Sequence, residues 1–193
     1  MKTKLKLLII SLVLVLINFG KLEAQNDTPQ TKISYDVNVG PVYPIEGTSE
    51  HFKGFASVND TTGVFESLNF EVDLNSFTGI HAGYLGWLAN SWNNPDLKFR
   101  SNKITKVGDH WKVEGILEFR RRYAYLQINM TSKEINNDVV LDGNFTMNTH
   151  DYYNFATPSE LVATWIPFNL QMVFDKPTLK KQEVNVATVN SSS

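Results

Sequence analysis

The chain of 193 residues contains no cysteine. That excludes thiol nucleophiles, cysteine-ligated zinc, disulfide staples and a lipid-modified cysteine behind a leader, so burial alone must hold the fold. Basic residues are not in excess either: 18 Lys and Arg stand against 20 Asp and Glu, a net charge of −2. Such a balance gives no overall attraction to nucleic acid or an anionic membrane. Histidine is sparse, and His51, His81, His110 and His150 lack the i, i+4 spacing that sets two metal ligands on one helix face. Nucleophile elbow, phosphate loop and dinucleotide fingerprint are all missing. Glu66, Glu71 and Asp73 fall on the polar side of an alternating segment, away from the burial that raises a carboxylate pKa for acid catalysis. No enzyme is expected, and neither a metal nor a cofactor.

Long apolar runs are also few. The longest, Leu7 to Ile17, is broken only by Ser11 and follows Lys2, Lys4 and Lys6. It is shorter than the roughly 20 residues of a membrane-spanning helix and has the order of an export signal. Residues 1–24 are therefore expected to be a signal peptide, with a mature chain from Gln25 and no stable membrane anchor. Removing Lys2, Lys4, Lys6 and Lys21 from the 18 basic residues and Glu23 from the 20 acidic ones leaves the mature chain at −5. Its location is read as periplasmic or secreted. Residues 25–32 form a flexible lead, 33–176 one β-domain and 177–193 a tail without expected order. The Arg120-Arg121-Arg122 triplet is too short for a basic patch and reads as a turn or strand end.

What the chain has in abundance is two-residue alternation. Leu68, Phe70, Val72 and Leu74 alternate with Asn69, Glu71, Asp73 and Asn75; Trp111, Val113, Leu117 and Phe119 alternate with charged neighbours. Ala124, Leu126, Ile128 and Met130 share a face, as do Val139, Leu141, Phe145 and Met147, and then Val162, Ile166, Phe168, Leu170, Met172 and Phe174. One apolar and one polar face per segment is the pattern of an antiparallel sheet. Turn residues at Asn59 to Gly63, Val107 to Asp109 and Asn136 to Asp138 separate the segments. About eight strands at hairpin intervals predict an up-and-down barrel or a sandwich. Pro167 predicts an edge or a bulge in the last strand. Gly115 and Gly143, on apolar faces, serve either to bend the sheet or to leave room for another group.

One stretch breaks the alternation. HAGYLGWLANSWNNPDLKF, from His81 to Phe99, holds Tyr84, Leu85, Trp87, Leu88 and Trp92 at no period of two. It is expected to form a short helical segment near residues 80–94 that caps the barrel mouth. The apolar faces either fill one another or line a cavity, and alternation alone does not choose between them.

Around this break the sequence resembles the YceI-like family. PDLKFRSNKITKVGDHWKVEGILEF places Pro95, Leu97, Phe99 and Ser101 before a hairpin whose return strand carries Val113, Gly115 and Leu117. VDLNSFTG, with Asp73, Ser76 and Thr78, and LDGNFTMNTHDY are similar to flanking parts of the same pattern. Between them, GIHAGYLGWLANSWNN replaces the family's Asp, His-Leu and double-phenylalanine stretch. The resemblance implies an eight-stranded antiparallel, lipocalin-like barrel that holds a long isoprenoid or similar amphiphilic lipid in the periplasm. The expected lining is Leu68, Phe70, Val72 and Leu74; Tyr84, Leu85, Trp87, Leu88 and Trp92; Phe99; Val113, Leu117 and Phe119; Leu126 and Ile128; and Phe145 and Met147. The implied partner is a hydrophobic small molecule, an isoprenoid or quinone-like lipid. A homodimer is left open, and so is a filled barrel acting as an interaction module.

Overall fold

The computed structural model describes residues 29–40, 43–59, 61–153, 161–176 and 179. The expected signal peptide, residues 25–28 of the lead and, apart from Leu179, the tail lie outside them. Nine strands form one antiparallel sheet: β1 Lys32–Val39, β2 Tyr43–Ser49, β3 Phe52–Val58, β4 Phe65–Asp73, β5 Asp96–Val107, β6 His110–Phe119, β7 Arg122–Ile135, β8 Asp138–Asn148 and β9 Trp165–Asp175. A six-residue helix, α1 Tyr84–Ala89, stands between β4 and β5, and a 3-10 turn, Thr149–Tyr152, follows β8. No described helix is long and apolar enough to cross a membrane.

The sheet order is β2-β1-β9-β8-β7-β6-β5-β4-β3. Its two outer strands are consecutive in sequence, parted only by Glu50 and His51. Three Cα steps span at most about 11 Å, so the sheet must curl until its edges meet. Thr78–Ile80 covers the free side of β2: the Thr48 N–H donates to the Thr78 carbonyl, the Thr78 N–H to the Thr48 carbonyl, and the Glu46 N–H to the Ile80 carbonyl, each at 2.9 Å. Counted as one interrupted strand, β2 and β3 reduce the nine strands to the expected eight.

Curling turns every apolar face inward. Leu68, Phe70 and Val72 of β4, Phe99 of β5, Val113, Leu117 and Phe119 of β6, Leu126 and Ile128 of β7, and Phe145 and Met147 of β8 are all buried. Rings cross the interior from wall to wall. Phe52 lies 5.4 Å from Phe70, Phe70 is stacked 5.3 Å from Phe99 and 6.0 Å from Phe145, and Phe145 is stacked 4.8 Å from Phe168. Tyr35 continues the chain at 5.8 Å from Phe168 and 5.2 Å from Phe77. Three strands separate β4 from β8 in the sheet, so the Phe70–Phe145 contact spans the barrel.

Two glycines make this packing fit. A Cβ on Gly47 would overlap the Tyr35 ring, and one on Gly115 would overlap the Arg100 carbonyl oxygen and the Phe99 ring. Gly115 sits beside a register shift between Ser101 and Lys103, so bending and room operate together, the room being taken by the chain's own ring. Pro167 stands, as expected, where its amide position is unpaired. β9 is a central strand, but at Pro167 it is paired only with β8, which makes that part a local edge. The β1–β9 ladder ends at Tyr35 and Phe168, so the missing amide hydrogen falls one residue beyond the pairing and costs no bond.

Candidate functional site

The barrel has a hairpin end and a helix end. At the hairpin end lie the turns after β3, β5 and β7, with Gly63, Gly108 and Asn136 at positive φ. Asn59 Oδ1 accepts from the Thr61 and Thr62 amides. Phe65 and Trp111 meet edge to face at 5.0 Å, and Trp111 Nε1 donates to Ser132 Oγ at 3.1 Å. A hollow of about 470 Å³ there is lined by Lys106, Lys133, Glu134 and Lys176, among others. The outer sheet face carries another of about 530 Å³, edged by Lys32, Ser34, His110, Asn129, Asp142 and Asn169. Both mix charged and polar groups with apolar ones, Met130 and Leu170 in the second and Val58, Phe65 and Val139 in the first, and both are open to water.

The helix end differs in chemistry. Helix α1 has no side-chain cap at its N-terminus and ends at Asn90 in the left-handed region, φ 52°. Such a residue closes a helix by bonding its last carbonyls: the Ser91 amide donates to the Gly86 carbonyl at 2.8 Å, and Asn94 Nδ2 to the Ala89 carbonyl at 2.8 Å. Leu85, Leu88 and Ala89 are buried against the barrel. With Tyr84, Leu85 and Leu88 inside and Trp87 outside, the helix covers the mouth with one face only.

Three tyrosine hydroxyls tie this cap to the body. Tyr35 Oη donates to the Ala82 carbonyl at 2.9 Å, Tyr153 Oη to the Leu88 carbonyl at 2.8 Å, and Tyr84 Oη to the Leu161 carbonyl at 3.2 Å while accepting from the Ala163 amide at 2.8 Å. Burial pushes the Tyr35 phenol up to about 12, although a hydrogen bond with the Leu85 backbone pulls the other way. Burial also raises Tyr84 and Tyr153, the latter opposed by the charge of Arg120. These phenols stay protonated as donors.

Beside Tyr84 the surface opens into an apolar crevice of about 320 Å³, walled by Val39, Ile45, His81, Gly83, Tyr84, Trp87 and Leu161. Only Tyr84 and Trp87 of the sequence-expected lining are part of it. The other expected residues are buried in the barrel interior or, for Leu85 and Leu88, beneath the helix; Leu74, just past β4, is buried as well. Trp92 corrects its expected role: at 93 % exposed, it caps nothing. Val39 and Ile45 were not among the expected residues; the Val37–Val39 spacing of two was a signal that could have placed Val39 inward, whereas the meeting of both with Leu161 had none. All four histidines are exposed, and among the described residues no group of three His, Asp or Glu side chains could hold a metal ion.

No protein-family model matches the chain, and no curated protein is significantly similar to it. Solved structures are. BcnA of Burkholderia cenocepacia superposes with a TM-score of 0.64 at 16 % identity, over 75 % of this chain and 96 % of that one. The YceI protein of Campylobacter jejuni gives 0.60 at 13 % identity, over 72 % and 89 %. The chain has the YceI-like fold. At such identities the likeness carries the YceI-like barrel and its strand path, while the site must be read from this chain's own residues.

Proposed function

We propose that the protein is an exported carrier, without catalytic activity, that holds the apolar part of an isoprenoid-like or other long-chain amphiphile at the helix end of its barrel. The crevice beside Tyr84 carries this reading, because its walls are almost wholly apolar and leave His81 as the one charged-capable neighbour. Its volume stands at the small end of the roughly 300–1,000 Å³ of small-ligand pockets, enough for a terminal segment of a long chain. Burial at about 25 cal/mol per Å² would drive uptake with no charged contact. Fold likeness to YceI proteins supports the reading, and the leader-like residues 1–24 support a periplasmic or secreted place.

The test is uptake of a fluorescent long-chain probe in solution by the parent chain and by Leu161→Asp and Trp87→Ala. Both positions are well exposed, so folding should survive. Saturable uptake in the parent that falls at least tenfold in Leu161→Asp is the expected result. No uptake by a folded parent, or uptake by both variants equal to that of the parent, would sink the proposal. A second reading is favoured by the ring chain from Phe52 to Phe77: a filled barrel that works only as an interaction module, which predicts no uptake of any long-chain probe.

A further inference from the structure

The four tryptophans occupy two environments. Trp111, at the hairpin end, is 5 % exposed and hydrogen-bonded, whereas Trp87, Trp92 and Trp165 are 59 %, 93 % and 59 % exposed. These three belong to α1, the α1–β5 connection and the start of β9, all at the helix end. Ile80, 51 % exposed before α1, and Leu161, 59 % exposed before β9, join them. Large apolar groups gathered at one end of a water-facing barrel mark a contact surface.

The same end carries the arginine triplet. Arg120 and Arg121 form the β6–β7 turn with φ of 56° and 57°, where Asn-Gly is the unstrained choice. Arg121 Nη2 donates to the Asn93 carbonyl at 3.2 Å, and the Arg120 guanidinium lies 4.0 Å from the Tyr153 ring centre with its Nη1 buried and unpartnered. The six ion pairs among the described residues are all made by lysines. In a chain with more acids than bases, these three adjacent guanidiniums have no carboxylate partner among the described residues.

We propose that the helix end docks on an anionic phospholipid bilayer. Indole rings favour the headgroup level, where one part of the ring is dry and the N–H is wet, and guanidiniums pair with phosphate oxygens. Net charge argues against such contact, and Asp73, Asp96 and Asp151 share this end, Asp96 paired with Lys98; the three guanidiniums of the β6–β7 turn nevertheless sit beside the apolar rings. The crevice opens on this same surface, so an amphiphile would pass between bilayer and protein without crossing water. This inference goes beyond the carrier reading: it shares Trp87 and Leu161 with the crevice but stands also on Trp92, Trp165 and the arginine triplet, which the crevice does not use.

The test uses the full chain with vesicles of phosphatidylcholine alone or mixed with phosphatidylglycerol, both carrying brominated acyl chains that quench indoles on contact. Tryptophan fluorescence should be quenched on the anionic vesicles. A chain with Trp87, Trp92 and Trp165 each replaced by Phe, leaving Trp111, should show none. Arg121→Gln with Arg122→Gln should weaken anionic-vesicle affinity roughly thirtyfold, from about 1 kcal/mol per charge. Residues 1–28 are common to all these chains, so the differences report on the helix end. Absence of quenching, quenching that persists through Trp111 alone, or an affinity untouched by the arginine changes would each overturn the proposal. Probe uptake is measured without vesicles, so carrier and docking can fail separately.

Discussion

Trp111 and Trp87 are the same residue at opposite ends of one barrel. The first is boxed in by Phe65, held by Ser132 and flanked by the Lys106 ammonium 5.3 Å from its ring. The second lies half out in water against Tyr84, 6.0 Å between ring centres, on the rim of an apolar crevice. Toward the hairpin end, lysine–carboxylate pairs such as Lys133–Asp142 at 2.9 Å and Lys176–Glu134 at 2.7 Å line the outside. At the helix end, beside the Lys98–Asp96 pair at 3.0 Å, the cap is tied down by tyrosine hydroxyls bonded to backbone carbonyls. Between the two ends, the interior aromatics are nearly all phenylalanine, which has no polar atom to satisfy and packs dry. The contrast separates parts that seal the barrel from parts that leave apolar surface open.

Several measurements break or sharpen that contrast. Phe70→Ala removes a ring touching Phe52, Phe99 and Phe145 and should cost about 3–5 kcal/mol of stability in urea unfolding. A loss under about 1 kcal/mol, far below that range, would mean the interior is not the sealed part. Tyr84→Phe leaves the Ala163 amide and the Leu161 carbonyl without their hydroxyl and should cost about 1–3 kcal/mol, with faster hydrogen exchange at Ala163 and little change at hairpin-end amides. Alkaline titration addresses Tyr35. Its phenol is neutral when folded up to about 12, against 10.0 ordinarily, so the folded state holds the proton longer than the unfolded one. Stability is therefore complete below pH 10 and declines as pH rises toward 12; unfolding midpoints that stay level across that window would contradict the burial. The smallest effect belongs to Trp92→Ala, expected within about 0.5 kcal/mol of the parent because the side chain is nearly free of contacts.

Much of the fold was legible because alternation states which side of a strand is apolar. Leu68, Phe70 and Val72 show it, each buried on the schedule read from their spacing. Alternation does not state what the apolar side meets. Whether Phe70 faces a guest or Phe145 depends on how far the sheet curls, and that is decided by short-range features such as Gly47 and Gly115, whose missing side chains admit rings. Pro167 was legible as an unpaired position because the rule concerns a missing hydrogen bond, and a central strand from which its neighbour has parted, as β1 parts from β9 after Tyr35, offers the same vacancy as an outer edge. The expected count of eight strands and the observed nine differ only by the two-residue break at Glu50 and His51 between β2 and β3. Least legible was the crevice, since Val39, Ile45, Tyr84 and Leu161 are distant in sequence and meet only after closure. Trp92 shared the composition of the capping stretch but lies beyond the helix, on the rim of an open hollow with Trp87, and stays 93 % exposed.

The most direct test is a crystal structure of the chain grown with a bound long-chain amphiphile. The account predicts electron density along Val39, Ile45, Tyr84 and Trp87 while the rings of Phe70, Phe145 and Phe168 keep their stacked positions. Density threading the barrel axis between parted rings, with the crevice empty, would contradict it.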